Sequence, residues 1–348
     1  MIRKISIENF KNIKNQCFDL PSLTILTGLN STGKSSIIQS ILLLSKYYTH
    51  TARDPLNKHV NNFLKFRVIR NKYENAQYIK IEAISKKNHE YYLYMNDDSE
   101  ELKEINNQKD DLNYDDKLYY LSANRNGQEE FVNLSQDEKL GSNGEYIIGY
   151  FESNKNLILR ENLIKFKNSN TLEFQLNNWL KEILDFSMEL KTKEIGSMKA
   201  QALFNIDGLD ALSPFNVGAG NSYLAKILIT SLMCKKDDTI LIENPEIHLH
   251  PKAQSKLGEF FSWIVKNGGP QIILETHSEH LINKIRYQVF NKELNNEDVI
   301  IYYKESIQKD FLPIKINKNG HYEDLNNNKI NFPSGFFDST LKELLQIG

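Results

Sequence analysis

Residues 28–35 read Gly-Leu-Asn-Ser-Thr-Gly-Lys-Ser and complete the G-x-x-x-x-G-K-S pattern of a phosphate-binding loop. The apolar run 23–26 precedes the pattern and the largely apolar run 36–44 follows it, so it connects a predicted strand with a predicted helix. Its glycines let the backbone curl until successive N–H groups point at phosphate oxygens, and the helix N-terminus adds about half a positive charge. The pattern therefore predicts an α/β fold that binds the phosphates of a nucleotide.

Each position of this loop has an expected role toward a nucleotide with Mg²⁺. The Lys34 ammonium is expected to contact the β- and γ-phosphates, and the Ser35 hydroxyl is expected to ligate the metal. The other predicted nucleotide-binding positions of the loop are Gly28, Leu29, Asn30, Ser31, Thr32, Gly33 and Ser36.

A second acid is needed to complete the metal site, and the strand predicted over residues 239–242 delivers Glu243 at its end. Asn244 follows, and an amide cannot abstract a proton from water. Two interpretations stay open. Either Glu246 or Glu275, the nearest acids in sequence, activates the water, or Asn244 only orients it and hydrolysis is slow.

Histidines follow the same acids in sequence. His277, after the strand predicted over 271–274, is a candidate for a hydrogen bond to the γ-phosphate; the alternative is a structural histidine between capping residues. A metal-dependent nuclease is a further possibility, because four histidines lie near Glu243 and Glu246 in sequence: His248, His250, His277 and His280. Their spacing is not that of a zinc site. The chain's two cysteines, Cys17 and Cys234, form no metal-ligand spacing either.

The whole chain narrows the class of protein. Its 348 residues suit either two units or one head with insertions, and the net charge of -2 gives no global electrostatic case for nucleic acid. A basic stretch (Lys58, Lys65, Arg67, Arg70 and Lys72) leaves DNA as an open partner, although a solvated strand face is the simpler explanation. No secretory stretch and no apolar run of about 20 residues is evident, so we expect a cytoplasmic protein without a membrane partner.

Hydrophobic periodicity predicts the remaining elements. Alternation from Phe66–Val68 to residues 91–94 indicates an antiparallel β subdomain, and helical spacing indicates a helix over residues 172–184. A second glycine-rich turn, residues 216–221, opens a predicted helix over 222–233. Other predictions are a strand at 2–10, a second and a third strand within 18–26, and strands at 118–122, 187–190 and 202–206. We also expect a helix at 253–265, a polar connection at 51–62, a surface loop or mobile segment at 97–116, and a hairpin with a two-residue turn at Asn319-Gly320.

These segments together resemble the ABC-type AAA ATPase heads of the SMC, RecF and OLD group. The resemblance rests on residues 7–12, on Glu-Asn-Pro-Glu-Ile-His-Leu-His-Pro at 243–251 as Walker B and D-loop, on Thr-His-Ser at 276–278 as the switch histidine, and on residues 217–221 at the signature loop. The tail Gly-Phe-Phe-Asp at 335–338 is similar to small bacterial predicted ATPases that often occur in anti-phage defence operons. The family's signature serine is absent, with Gly218 near its place, and Asn244 replaces the usual catalytic glutamate.

The resemblance implies a P-loop fold with a mixed central sheet, an antiparallel β subdomain and a helical subdomain. It implies a head over residues 1–300, with a β insert at about 60–116 and a helical lobe at about 150–235, and a small C-terminal hairpin and tail over 301–348. It also implies a head-to-tail homodimer, or a higher even oligomer, with two ATP molecules between the heads. Each ATP would contact the phosphate loop of one copy and Gly218, Gly220 and Asn221 of the other.

The implied function is a slow ATPase that acts as a switch on a separate effector protein or on DNA, in anti-phage defence. The implied catalytic residues are Lys34, Glu243, Asn244, Glu246 and His277, with Ser35 and Glu243 as metal ligands and ATP and Mg²⁺ as cofactors. Arg125, after the strand at 118–122, is a candidate γ-phosphate contact or relay. The alternatives are an ATP-bound scaffold or sensor with little hydrolysis, suggested by Asn244, and the metal-dependent nuclease.

Overall fold

The computed structural model describes residues 1–48, 56, 60, 65–102 and 111–333. Its strands are β1 (Ile2–Phe10), β2 (Ile13–Asp19), β3 (Leu23–Gly28), β4 (Ile79–Ser85), β5 (Glu90–Met95), β6 (Glu100–Leu102), β7 (Leu118–Leu121), β8 (Phe131–Asn133), β9 (Met188–Ile195), β10 (Lys199–Ile206), β11 (Leu209–Leu212), β12 (Thr239–Glu243), β13 (Gln271–Glu275), β14 (Val299–Lys304), β15 (Leu312–Ile316) and β16 (Tyr322–Glu323). Its helices are α1 (Ser35–Tyr48), α2 (Phe66–Ile69), α3 (Ile147–Asn154), α4 (Leu172–Leu184), α5 (Ala219–Met233), α6 (Pro251–Lys266) and α7 (Glu279–Phe290).

A seven-stranded mixed sheet lies at the centre, in the order β16-β15-β14-β3-β13-β12-β7. Neighbouring strands from β14 to β7 are parallel, whereas β15 is antiparallel to β14 and β16 is antiparallel to β15. The parallel strands β3, β13 and β14 are buried along their whole length. This burial follows from their continuous apolar sequence, because a parallel sheet is covered on both faces.

The two faces of this sheet pack into separate cores. On one face, Leu26, Leu241 and Ile273 pack with α1 and with the inner side of a five-stranded antiparallel sheet, ordered β2-β1-β4-β5-β6. On the other face, Ile25 and Ile242 pack with helices α3 to α7 and with the small sheet of β8 to β11. The predicted fold class, with its mixed sheet, antiparallel β subdomain and helical subdomain, is confirmed.

Most of the predicted elements are confirmed. The helix over 172–184 and the strand over 2–10 have the predicted bounds, and the helix after the second glycine-rich turn begins a little earlier, at Ala219. The hairpin is present, but Asn317 pairs with His321, so its turn has three residues and Gly320 adopts the positive φ of 71°.

Two predictions of local structure are wrong. Phe66–Val68 is not a strand but part of helix α2, because Phe66 and Ile69 are the buried pair while Val68 is exposed. The segment 97–116 is not a surface loop throughout: it contains β6, and Leu112 and Tyr114 are buried in the core. The loop prediction failed because acidic residues outnumber these few apolar anchors.

Other predictions lie partly or wholly outside the described residues. These are the tail at 335–338, Lys58, and most of the polar connection 51–62, of which only Leu56 and Val60 are described and are buried. The division of the chain at residue 300 stays a prediction; its boundary falls within β14, and β15 and β16 continue the central sheet. Among the described helices, none has the length and apolar character needed to cross a membrane.

Candidate nucleotide-binding site

The phosphate loop lies between β3 and α1, and two glycines shape it. Gly28 has a φ of +136°, and a side-chain Cβ there would lie 2.1 Å from the backbone oxygen of Lys304 on β14. Gly33 has a φ of +96°, and a Cβ there would lie 2.2 Å from the amide of Asn12. A larger residue at either position would be strained and would collide with its neighbour, so the loop depends on glycine at both positions.

Lys34 lies across the loop that it belongs to. It is 4 % exposed, and its ammonium donates a hydrogen bond to the Leu29 carbonyl at 2.7 Å. Burial lowers the pKa of Lys34, while the nearby Glu275 carboxylate opposes this shift. The Ser36 hydroxyl donates to Asn12 at 3.2 Å, so the turn after β1 supports the first turn of α1.

The two candidate acids on strand ends come together at the same edge of the sheet. Glu243 ends β12 and pairs in register with Glu275, which ends β13, and Glu275 pairs in turn with Leu26 of β3. One oxygen of Glu243 accepts a hydrogen bond from the Ala123 backbone N–H at 3.1 Å. Glu243 and Glu275 therefore end neighbouring strands at the sheet edge where the phosphate loop leaves β3, with β13 between β3 and β12.

Glu275 is the acid closest in the sheet to the phosphate loop. It is 7 % exposed, and its Oε2 atom is buried without a hydrogen-bond partner. Burial raises its pKa, and a hydrogen bond with the Ser35 hydroxyl opposes this shift. The candidate metal ligand Ser35 is thus already in contact with a carboxylate.

Asn244, Glu246 and His277 form a second group beside these acids. Asn244 has a positive φ of 44°, and its backbone N–H donates to the Glu275 carbonyl at 2.8 Å. One oxygen of Glu246 accepts from the His277 backbone N–H at 2.7 Å, while its other oxygen and the Asn244 Oδ1 are buried without partners. Burial raises the pKa of Glu246, whereas partial desolvation and the Lys34 charge lower the pKa of the exposed His277.

The signature-loop candidates lie beside the D-loop candidate. Gly218 is the N-cap residue of α5, and the Asn221 N–H donates to its carbonyl at 3.0 Å. A Cβ on Gly220 would lie 2.4 Å from the His248 backbone oxygen, so glycine allows this close approach. None of Gly218, Gly220 and Asn221 lines the described cavity over the phosphate loop of its own chain.

Arg125 is buried instead of facing a phosphate. It is 2 % exposed, and its guanidinium donates to the carbonyls of Ser122 and Glu243, each at 2.9 Å. The same guanidinium lies 5.0 Å from the ring centre of Tyr223 on α5. Arg125 thus connects the end of β12 with the helix that follows the candidate signature loop, and its role as a γ-phosphate contact or relay stays a prediction.

A cavity of about 760 Å³ extends from the phosphate loop, within the usual size of a ligand site. One part of it is lined by Glu275 and by residues of the phosphate loop and the start of α1: Ser31, Gly33, Lys34, Ser35, Ser36 and Gln39. The rest is lined by Lys11, Asn12, Ile307 and residues 68–70, 72 and 73. Tyr73 is 63 % exposed there, and Val68 and Ile307 beside it are also exposed. Sequence reasoning missed this apolar wall, because tyrosines at strand spacing are usually core residues.

The residues present fit a nucleotide and a hard divalent cation. The hydroxyl of Ser35 and the carboxylates of Glu243 and Glu275 are the oxygen donors that Mg²⁺ prefers, and the Glu275 Oε2 is unpartnered. In the described part of the chain, this edge of the sheet included, no group of three or more His, Cys, Asp or Glu side chains is arranged to hold a metal by itself. His250 caps α6 through its Nδ1 atom, and the ring of His248 packs on Tyr223.

Comparison with known proteins finds a matching family model. A family model described as "AAA domain, putative AbiEii toxin, Type IV TA system" matches residues 23–283, from the first residue of β3 into α7. No curated protein matches the chain.

Two solved structures share the fold. One is an SMC head bound to the C-terminal winged-helix domain of ScpA, with 11% sequence identity, 91% coverage of this chain, 98% coverage of that chain and a TM-score of 0.56. The other is an SMC head with an extended coiled coil bound to the C-terminal domain of ScpA, from Pyrococcus furiosus, with 11% identity, 99% coverage of both chains and a TM-score of 0.55. At this identity the likeness shows a common fold.

Proposed function

The chain belongs to the AAA-domain family described as putative AbiEii toxins of type IV toxin–antitoxin systems, and we propose that it is an ATPase switch that binds MgATP and hydrolyses it slowly. The observation that carries this proposal is the meeting of three sequence-distant parts at one sheet edge. These parts are the loop after β3, Glu275 at the end of β13 and Glu243 at the end of β12. Glu275 pairs in register with Leu26 of β3 on one side and with Glu243 on the other. That arrangement supplies amides and an ammonium for phosphates, and carboxylates for a metal.

Lys34, Ser35 and the loop amides hold the triphosphate in this proposal. Lys34 leaves the Leu29 carbonyl, to which it now donates, and contacts the β- and γ-phosphates. Ser35 and Glu243 hold the metal; bound Mg²⁺ neutralises charge on the phosphate oxygens. The adenine ring of ATP lies against Tyr73 in the cavity that continues from the loop.

Glu246 is the base for the attacking water in this proposal, and Asn244 orients that water. An amide cannot take the proton, but Glu246 has one oxygen fixed by the His277 N–H and one without a partner. Its burial favours the uptake of a proton. His277, beside it, contacts the γ-phosphate in our proposal. This contact is lost when the phosphate leaves.

A second copy of the chain completes each site in our proposal. Gly218, Gly220 and Asn221 stand at the N-terminus of α5, where backbone amides attract phosphate, yet they do not line the cavity of their own chain. A head-to-tail dimer would bring them to the nucleotide of the partner. ATP then favours the closed dimer, and phosphate loss favours opening. In this proposal, closing and opening control a separate effector protein or the engagement of DNA in anti-phage defence.

Phosphate release from purified protein tests this proposal. Wild-type protein with MgATP should release phosphate slowly, at a rate above that of Glu246→Gln, because the substituted amide cannot accept the proton. Removal of a general base costs on the order of 100-fold or more in rate. Glu279→Gln, on the neighbouring helix α7, is the matched control and should keep the wild-type rate.

The scaffold alternative predicts a different result in the same experiment. Asn244 stands where the related heads carry a catalytic glutamate, and an ATP-bound scaffold would need no water activation. Tight binding of MgATP without phosphate release above background, in both wild type and Glu246→Gln, would favour the scaffold and contradict the switch.

A further inference from the structure

Glu275 stands between the phosphate loop and the acid assigned to the metal. In the strand order β3-β13-β12, it pairs with Leu26 on one side and with Glu243 on the other. Glu275 is therefore on the strand next to β3, and Glu243 is one strand further away. Neighbouring strands lie about 4.8 Å apart, so Glu275 is closer to the phosphate loop by about that distance. Side chains in register on parallel strands point to the same face, and here that face is the one on which α1 packs.

The surroundings of the Glu275 carboxylate leave one of its oxygens available for a ligand. Its carboxylate meets the Ser35 hydroxyl and lies within electrostatic range of Lys34. It lines the 760 Å³ cavity together with Gly33, Lys34 and Ser35, whereas Glu243 does not line that cavity. Its Oε2 atom is buried without a partner, a state that costs free energy unless a ligand compensates for it.

The charges around Glu275 determine how its carboxylate would interact with a triphosphate. Glu243 and Glu246 both lie within electrostatic range of Glu275, and Lys34 is the cation among the lining residues that faces Glu275. A triphosphate placed on the loop would be repelled by a carboxylate so close to it. A divalent cation between the two reverses the sign of that interaction.

We propose that Glu275 is a further residue of the metal site, beside Ser35 and Glu243, and that it makes nucleotide binding conditional on a divalent metal. This inference rests on the proposed ATP site and adds a residue to it. Without metal, the Glu275 carboxylate opposes the triphosphate and holds the Ser35 hydroxyl. With metal, the same carboxylate and the hydroxyl hold the cation against the phosphates.

Equilibrium binding of ATP in Mg²⁺ and in EDTA tests this inference without relying on turnover. Glu275→Gln keeps the shape but removes the charge, so it should bind ATP more weakly in Mg²⁺ and more tightly in EDTA than wild type. The Mg²⁺-to-EDTA affinity ratio should fall by about 10–100-fold, the usual effect of losing a supporting metal-site group. Glu305→Gln is the matched control, because Glu305 is exposed beside the loop, pairs with Lys309 at 2.7 Å, and should keep the wild-type ratio.

An unchanged ratio in Glu275→Gln would overturn the inference. If that variant does not fold, as judged by thermal unfolding, Glu275→Asp replaces it. Its shorter reach should lower the ratio, and a wild-type ratio there would again overturn the inference. Failure of the ATP site itself is distinguishable, because wild-type protein would then bind ATP in neither condition.

Discussion

At the scale of single residues, the site combines positions with strong local signals and positions with none. Gly28, Gly33, Lys34 and Ser35 carry a pattern that predicts their chemistry from sequence alone, because the loop is local. Tyr73 carries no such signal. Its role depends on the turn after α2, which brings an aromatic ring to the cavity wall and leaves it 63 % exposed.

Tyr73→Ala tests the proposed base platform. Stacking of a base on an aromatic side chain contributes about 1–3 kcal/mol, so the dissociation constant for MgATP should rise about tenfold, whereas Tyr73→Phe should stay near wild type. Binding of inorganic tripolyphosphate, which has no base, should not change. Tyr287→Ala is the control, because Tyr287 on α7 is also more than half exposed. Equal loss of ATP and tripolyphosphate binding would contradict the platform.

At the scale of elements, Arg125 joins the end of β12 to helix α5. It donates to the Glu243 and Asn244 carbonyls at 2.9 and 3.4 Å, and its guanidinium lies over Tyr223, whose ring also packs on His248. Because the guanidinium binds the backbone carbonyls of Glu243 and Asn244, it restrains the position of the Glu243 residue at the strand end. We therefore infer that Arg125 positions Glu243 and links the end of β12 to α5.

Arg125→Met should lower the free energy of unfolding by about 3 kcal/mol, because it leaves buried carbonyls without their donor. Urea denaturation measures this change. Arg67→Met is the control, since Arg67 is 81% exposed and pairs with Asp97 at the surface; its stability should stay near wild type. A stable Arg125→Met protein would show that the carbonyls find other donors and that the link is dispensable.

The elements also show how far sequence alone reaches. The strands β3 and β12, helix α1 and helix α4 follow from local periodicity, and the structure has them where predicted. The position of β13 between β3 and β12 does not follow, because strand order is a long-range property. Helix α2 was mistaken for a strand because four residues are too few to distinguish a spacing of two from a spacing of three.

At the scale of the whole molecule, our proposal gives one copy of the chain two separate half-sites. The phosphate loop is bordered by the exposed side chains of Leu29 and Ile307, and the signature loop follows the exposed Phe215. Closing two copies head to tail would bury these apolar groups while the nucleotide joins the two half-sites. In the proposed dimer, ATP would contact both copies only in the closed state, so we expect ATP to stabilise that state.

The mass of the protein in solution, measured by light scattering with and without a non-hydrolysable ATP analogue and Mg²⁺, tests this claim most directly. We predict that the wild-type mass doubles when the analogue is present, and that Lys34→Ala stays a monomer because it lacks the β/γ-phosphate contact. The Asn221→Ala variant should bind the analogue and yet dimerise less. A wild-type mass that stays the same with and without the analogue, in protein shown to bind it, would contradict the account.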